Sequence, residues 1–457
     1  MPLSRRKILA ILLLSGSCAV ISLAQKPTLN EVIDTYVQPY VRSGNFSGVV
    51  LVQRDGRSVF SRAFGFADRD RHQPNTMATR FHIASVSMQF TAAAILRLVD
   101  KRQLSLDDRV GAYIPGTPGG EKITIRDLLI QRSGLPDINN LADYDEVLQH
   151  HQTPASLVAK IAGQPLLFEP GTKYLHEEHS AYNVLALIIE KKTGLPFSAA
   201  LQHLVFQPLG MSDSGADDDS QTHAKHIARG YTPDGTYGLK PAPAIHWSGK
   251  TGNASVYTTA PDEAKWIDAL FQGKALSRTS RGLILDSSIP VGYGWFRRQN
   301  KRFNQTAYYM NGRSPGFGSF ALYLPQPQLT VVVLSNVYST APTNIGYDIA
   351  ALTLELPYQA FSPRDPAPEA AELRTCTGTF QFGPDFYVPN AQVSVVTKGD
   401  ELSLVWPSGD AAALIPVARD RFIDRSYWED VAIERDSTGT PVALKYDRFE
   451  GSATGSN

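Results

Sequence analysis

Along the chain the spacing of apolar positions changes from strand-like to helix-like and back. Ser47-Gly-Val-Val-Leu-Val-Gln53 and Ser58-Val-Phe-Ser-Arg-Ala-Phe64 are rich in β-branched and aromatic residues and read as two strands. Between them, Arg54-Asp-Gly-Arg57 carries the Asp-Gly pair that two-residue hairpin turns favour. From about residue 86 to residue 210 the period becomes helical: Phe90, Ala93, Ala94, Leu96 and Leu98 share a face, 157–161 and 182–191 are amphipathic, and Gly194-Leu-Pro196 is a stop. Strands return at 319–324 and 329–335 around a Pro325-Gln-Pro-Gln328 turn, and 347–356 reads as a helix closing on the sheet. Ser362-Pro-Arg-Asp-Pro-Ala-Pro-Glu369 is a linker rich in Pro and charge. Beyond it, short alternating runs at 377–382, 392–397, 401–406, 430–435 and 442–446 predict a small β-rich domain.

These patterns divide the 457 residues into a leader at 1–25, a mixed domain at 26–360 with a helical subdomain at about 86–215, a linker at 361–370 and a β-rich domain at 371–457. The leader has the parts of an export signal: Arg5-Arg6-Lys7, an apolar stretch from Ile8 to Leu23, and Ser22-Leu-Ala24 before Gln25. It predicts an exported protein, periplasmic or secreted, with any membrane association or anchoring through this segment alone. Once the leader is removed, Cys376 is the one cysteine left of two, so no intrachain disulfide is expected. Charge is balanced, 44 Lys and Arg against 44 Asp and Glu, without a basic run. Nucleic acid is therefore not an expected partner, because phosphate contacts need clustered Lys and Arg.

In Phe81-His-Ile-Ala-Ser-Val-Ser87, extended residues give way at Ser85 to the Ala- and Leu-rich run, so a serine sits where a helix begins. Free N–H groups and the positive end of the helix dipole favour a hydroxyl nucleophile there, and the oxyanion it creates. Capping the helix is the other use of a serine in such a place. Gln89-Phe-Thr-Ala-Ala-Ala-Ile-Leu96, Leu104-Ser-Leu-Asp-Asp108, Ile123-Thr-Ile-Arg-Asp-Leu-Leu129, Ser133-Gly-Leu-Pro-Asp137, Pro170-Gly-Thr-Lys-Tyr174, Pro208-Leu-Gly-Met211 and Leu329-Thr-Val-Val-Val-Leu-Ser-Asn336 follow. With the Ser85 stretch they resemble the serine β-lactamase and penicillin-binding-protein family, in its class C and esterase-like branch, over about residues 30–345. The resemblance implies an α/β (α+β), β-lactamase/transpeptidase-like fold: an antiparallel sheet flanked by helices, with an inserted helical subdomain and a small C-terminal β domain.

The family's first motif is Ser-x-x-Lys, whose lysine takes the serine's proton. Here that position is Met88, and a thioether accepts no proton at a useful pH. The second motif, Tyr-x-Asn, falls within Leu175-His-Glu-Glu-His-Ser180. Counted from Pro170, His176 takes the tyrosine's place and Glu178 the asparagine's; counted back from Tyr182, the trio is Glu177-Glu178-His179. The third, a cation-x-Gly, becomes Met310-Asn311-Gly312, and the resemblance pairs the N–H of Arg313 with that of Ser85 as an oxyanion hole. Lys250-Thr-Gly252, Gly312-Arg-Ser-Pro-Gly316 and Tyr309-Met-Asn311 spell catalytic motifs on the wrong elements.

Three readings stay open. A serine hydrolase acting through Ser85 on an ester, amide or peptide would take His176 as base, oriented by Glu178. A protein that only binds a peptidoglycan fragment or a hydrophobic small molecule would line an uncharged pocket with Met88, Met310, Asn311, Gly312 and Arg313. Isomerase- or cyclase-type chemistry would use the His and Glu groups without acylating Ser85. None implies a cofactor, and two histidines three apart with no third partner do not predict a metal centre. The plain alternative for His-Glu-Glu-His is a solvated loop before a helix. Hydrolysis of β-lactams is not expected, since the groups that would activate a deacylating water are missing.

Overall fold

The computed structural model describes residues 27–175, 178–219 and 227–454; the expected export signal and His176 lie outside the described residues. Helix α1 (Leu29–Arg42) starts at Thr28, whose side chain caps the Glu31 amide while Glu31 caps the Thr28 amide. Strands β1 (Gly48–Arg54) and β2 (Arg57–Phe64) follow, turned by Asp55 and Gly56 with φ of 52° and 72°. Both angles are left-handed, as an Asp-Gly hairpin requires.

Helices α2 (Met88–Asp100), α3 (His179–Thr193) and α4 (Ala260–Phe271) form the body of the helical block. Nine of the first ten residues of α2, all but Arg97, are buried, as is Leu98, so α2 is a central helix with no exposed face at its start. Between Ile130 and Thr153 the chain makes only the short turns Ile138–Asn140 and Tyr144–Val147, where longer helices were expected. Gly134, Pro136 and the Asp and Asn residues after them break and cap the backbone there.

Strands β3 (Val291–Gly292), β4 (Trp295–Asn300), β5 (Gln305–Ser314), β6 (Phe317–Leu324) and β7 (Leu329–Ser335) complete a seven-stranded antiparallel sheet in the order β3-β4-β5-β6-β7-β1-β2. Both β6 and β7 are buried at every position, which is why they read as unbroken apolar runs. On one face Phe320, Leu322, Val331 and Val333 meet Ile33 and Val37 of α1 and Ile345 and Ile349 of α5 (Ala341–Thr353). On the other face Ala321, Val332 and Leu334 meet the helical block. Each fully buried Val, Leu or Ile contributes about 1.5–3 kcal/mol. Helix α5 begins earlier than the expected 347 because Pro342 stands in its first turn, where a fixed φ suits a helix start.

The C-terminal unit is a closed antiparallel barrel of eight strands, from Gly378–Gln381 to Phe449–Ala453. Three of them, Ala411–Ala418, Arg421–Asp424 and Phe449–Ala453, were not among the expected runs. Ala411–Ala418 is Ala-rich and holds Pro416, so its strand propensity is weak and barrel pairing overrides it. The barrel is seated on the larger domain. Arg425 is fully buried and donates to Asn45 Oδ1 at 2.7 Å and Gly44 O at 3.1 Å, and Trp428 packs on Tyr40 and Phe361. Among the described residues no helix is long and apolar enough to cross a membrane.

Candidate active site around Ser85

A tight turn, Ala84–Ser87, leads into α2 and carries Ser85, which is 8% exposed. Ala84 has φ of 49°, a left-handed conformation that non-glycine residues seldom adopt. Its surroundings hold it there: Ile83 N donates to Val256 O at 3.0 Å, Ser319 Oγ donates to Ile83 O at 2.6 Å, and Val256 N donates to Ser87 Oγ at 3.1 Å. Strain of this kind persists only where packing over-determines it, and it gathers at functional sites. Gln131 and Tyr293, both close to the start of α2, also have positive φ, 56° and 57°. Among the described residues, Ser85 Oγ has no hydrogen-bond partner.

Strand β5 runs directly beneath this turn. A Cβ on Gly312 would fall 2.6 Å from Ser85 N and 2.9 Å from both Ile83 O and Ala84 Cβ, so glycine alone permits the approach. The register fixes where the next amide points. Pro315 and Gly316 form a two-residue turn closed by Ser314 and Phe317, which makes that pair hydrogen-bonded across the hairpin. By alternation Gly312 and Met310 also bond to β6, and the N–H groups of Asn311 and Arg313 point away from it. On that open side β4 stops pairing at Tyr309, so no strand takes the Arg313 amide.

Side chains of β5 divide by parity. Met310 faces the same core as Met88, both nearly fully buried, whereas Asn311 and Arg313 stand on the opposite face. Gln131 donates its amide to Met88 Sδ at 3.8 Å, filling the place beside the helix start with a neutral contact. The Arg313 guanidinium lies between two rings, 4.6 Å from the centroid of Tyr338 and 4.1 Å from that of Tyr427, and donates to Ser426 O at 3.1 Å. No sequence signal marks this use of Arg313, because Tyr427 and Ser426 come from the barrel.

The second-motif window is stitched to the loop after Gln131. Glu178 accepts from Ser133 Oγ at 2.7 Å and Gly134 N at 2.8 Å, so the carboxylate expected to orient His176 is engaged in that loop. Burial pushes its carboxyl up to about 7 against the pull of those donors. His179, the first residue of α3, meets Asp137 Oδ2 at 2.8 Å and Asn139 Nδ2 at 3.0 Å through Nδ1. The carboxylate on Nδ1 favours the tautomer protonated there, with Nε2 unprotonated. The Asp137–His179 pair was not singled out in the sequence, where Asp137 belongs to a scaffold word 42 positions away.

The motif-like strings elsewhere fold as structure. Lys250 is buried, with its ammonium 3.1 Å from Tyr144 Oη and burial pushing it down to about 8. Gly312 to Gly316 turns from one strand into the next, with no helix after Ser314.

A family model described as beta-lactamase matches residues 33–354. Among curated proteins, the putative penicillin-binding protein PbpX of Bacillus subtilis (strain 168) is 30% identical over 310 residues, covering 67% of this chain and 74% of that one. Among solved structures, a penicillin binding protein from Bacillus halodurans superimposes with a TM-score of 0.61 at 26% identity, covering 71% of this chain and 98% of the other. The octameric penicillin-binding protein homologue from Pyrococcus abyssi shares the fold at a TM-score of 0.64 and 21% identity, over 92% of this chain and 99% of its own.

Proposed function

This chain belongs to the β-lactamase family, with its penicillin-binding-protein-like relatives, and from that membership we propose that it is an exported acyl-transfer hydrolase acting on an ester, amide or peptide through Ser85. The approach of Gly312 to the Ser85 amide carries this reading. It brings the turn that bears the nucleophile against the strand whose next amide, Arg313 N–H, has no strand to bond, which suits two donors for an oxyanion. In the proposed cycle Ser85 Oγ attacks the carbonyl carbon, its proton passes to a histidine, and the leaving group departs with that proton. Water then attacks the acyl-enzyme and frees Ser85. Met88 cannot be the proton acceptor. A histidine replaces it in this proposal: His176, as the sequence suggests, or His179 at the head of α3 with Nδ1 held by Asp137.

Intact-protein mass after incubation with an activated ester, a penicillin and a fluorophosphonate, beside Ser85→Ala, tests the proposal. An adduct with the ester or the fluorophosphonate is expected in the native protein and not in the variant. No adduct with any of the three overturns it. One observation favours a second reading in that event: Met88 and Met310 are core residues and the Gln131 amide, not a charge, meets Met88. A site so built would hold an apolar ligand without turning it over, seen as saturable binding with no product.

A further inference from the structure

The Arg313 side chain has no place in the chemistry just described, yet it is the best-held cation near the site. Its amide lacks a ladder partner on either side: parity turns it away from β6, and β4 ends at Tyr309. A backbone group without ladder bonds keeps its direction only if something else holds its residue. Here the holder is the guanidinium, which lies over the Tyr338 ring of the larger domain and the Tyr427 ring of the barrel and has Ser426 O as its acceptor. The barrel segment that supplies Tyr427 and Ser426 is itself fixed. Asp424 Oδ1 accepts from Ser426 N at 2.7 Å and Tyr427 N at 3.2 Å, Thr340 N donates to Ser426 O at 3.1 Å, and Ser339 Oγ donates to Arg425 O at 3.0 Å.

We infer that Arg313 is a positioning residue: its guanidinium, clamped between Tyr338 and Tyr427, aims the backbone amide at residue 313 toward the space beside Ser85, so docking of the C-terminal barrel sets the geometry of the site. This rests on reading Ser85 and the Arg313 amide as the acyl-binding pair. The barrel then acts without touching substrate. Its presence is felt through one cation and two rings.

The test uses the full-length protein and three variants: Tyr427→Leu, which removes one jaw; Tyr427→Phe, which keeps the ring; and Tyr387→Leu, which removes an exposed barrel ring that does not contact Arg313. Tyr427 is 45% exposed, so its loss leaves the barrel core intact. Two quantities are read: the rate of Ser85 labelling by a fluorophosphonate, and hydrogen exchange of the peptide spanning residues 308–318. With a cation–π contact of ordinary strength, Tyr427→Leu is expected to slow labelling roughly threefold to thirtyfold and to speed exchange in that peptide. Tyr387→Leu is expected to match the native protein in both, and Tyr427→Phe, which keeps the ring and loses only the hydroxyl's bond to the guanidinium, to stay closer to it than Tyr427→Leu does. Unchanged exchange in Tyr427→Leu, or an equal rise in Tyr387→Leu, overturns the clamp. If the native protein takes no label, the reading of Ser85 fails by itself, and the exchange comparison still decides the clamp.

Discussion

Glu263, in the first turn of α4, is fully buried, and neither carboxylate oxygen has a hydrogen-bond partner among the described residues. Burial, with a smaller push from Asp262, raises its carboxyl from 4.5 to about 8. Because the folded value lies above the unfolded one, its contribution to stability is whole below about pH 4.5 and is lost as pH rises through about 8. Glu263→Met, which removes two unpaired acceptors, is expected to raise stability by about 2 kcal/mol at about pH 8 and by much less at about pH 5. Urea midpoints at the two pH values measure it, and equal gains would show that the carboxyl is not the cause. Glu178 is the instructive contrast: it is as deeply buried, but Ser133 and Gly134 supply donors, so its burial is offset by what it ties down. Neither fate was legible in the sequence, since a glutamate in a polar string looks solvated whichever way it turns.

Strand β5 shows how a single element assembles the site. One face sends Met310 into the core and lays bare backbone under Ser85 at Gly312; the other sends Arg313 toward the barrel. Gly312→Ala would put a methyl group 2.6 Å from Ser85 N and 2.9 Å from Ile83 O, and since both of these atoms are backbone the turn itself must move. Ser85 labelling is expected to fall at least about a hundredfold, with a stability loss of about 1–3 kcal/mol. Labelling rates and melting temperatures separate the two; a variant that labels normally would mean the close approach is not needed for reactivity. That Gly312 matters was readable from its place in a motif. That its two neighbours serve opposite faces follows from strand parity, once the register with β6 is known.

The barrel and the sheet domain are joined by buried polar contacts as well as by packing, and Arg425 is the centre of them. It donates to Asn45 Oδ1, Gly44 O and Gly235 O from full burial. Arg425→Ala leaves those acceptors unpaired and is expected to cost about 3 kcal/mol. Calorimetry is expected to show the native transition splitting into two as the barrel uncouples. A single transition at the native temperature would mean that the remaining contacts, packing of Trp428 and the bonds to Ser426 among them, hold the units together without the Arg425 side chain. If the clamp on Arg313 is as inferred, the same variant also slows labelling of Ser85.

The amino-acid pattern by itself settled the local grammar of this protein: the Asp-Gly hairpin, the apolar runs of β6 and β7, and the serine ahead of α2. Each depends on spacing or on the conformational freedom of one residue, and both are written in neighbouring letters. Tertiary structure alone decided which polar groups meet. Glu178 reaches Ser133, His179 reaches Asp137, and Arg313 reaches Tyr427 across 42 or more positions of chain. Such pairings are set by how sheet, helical block and barrel dock, and docking is driven by non-directional burial of apolar surface, which leaves no mark of partner choice along the sequence.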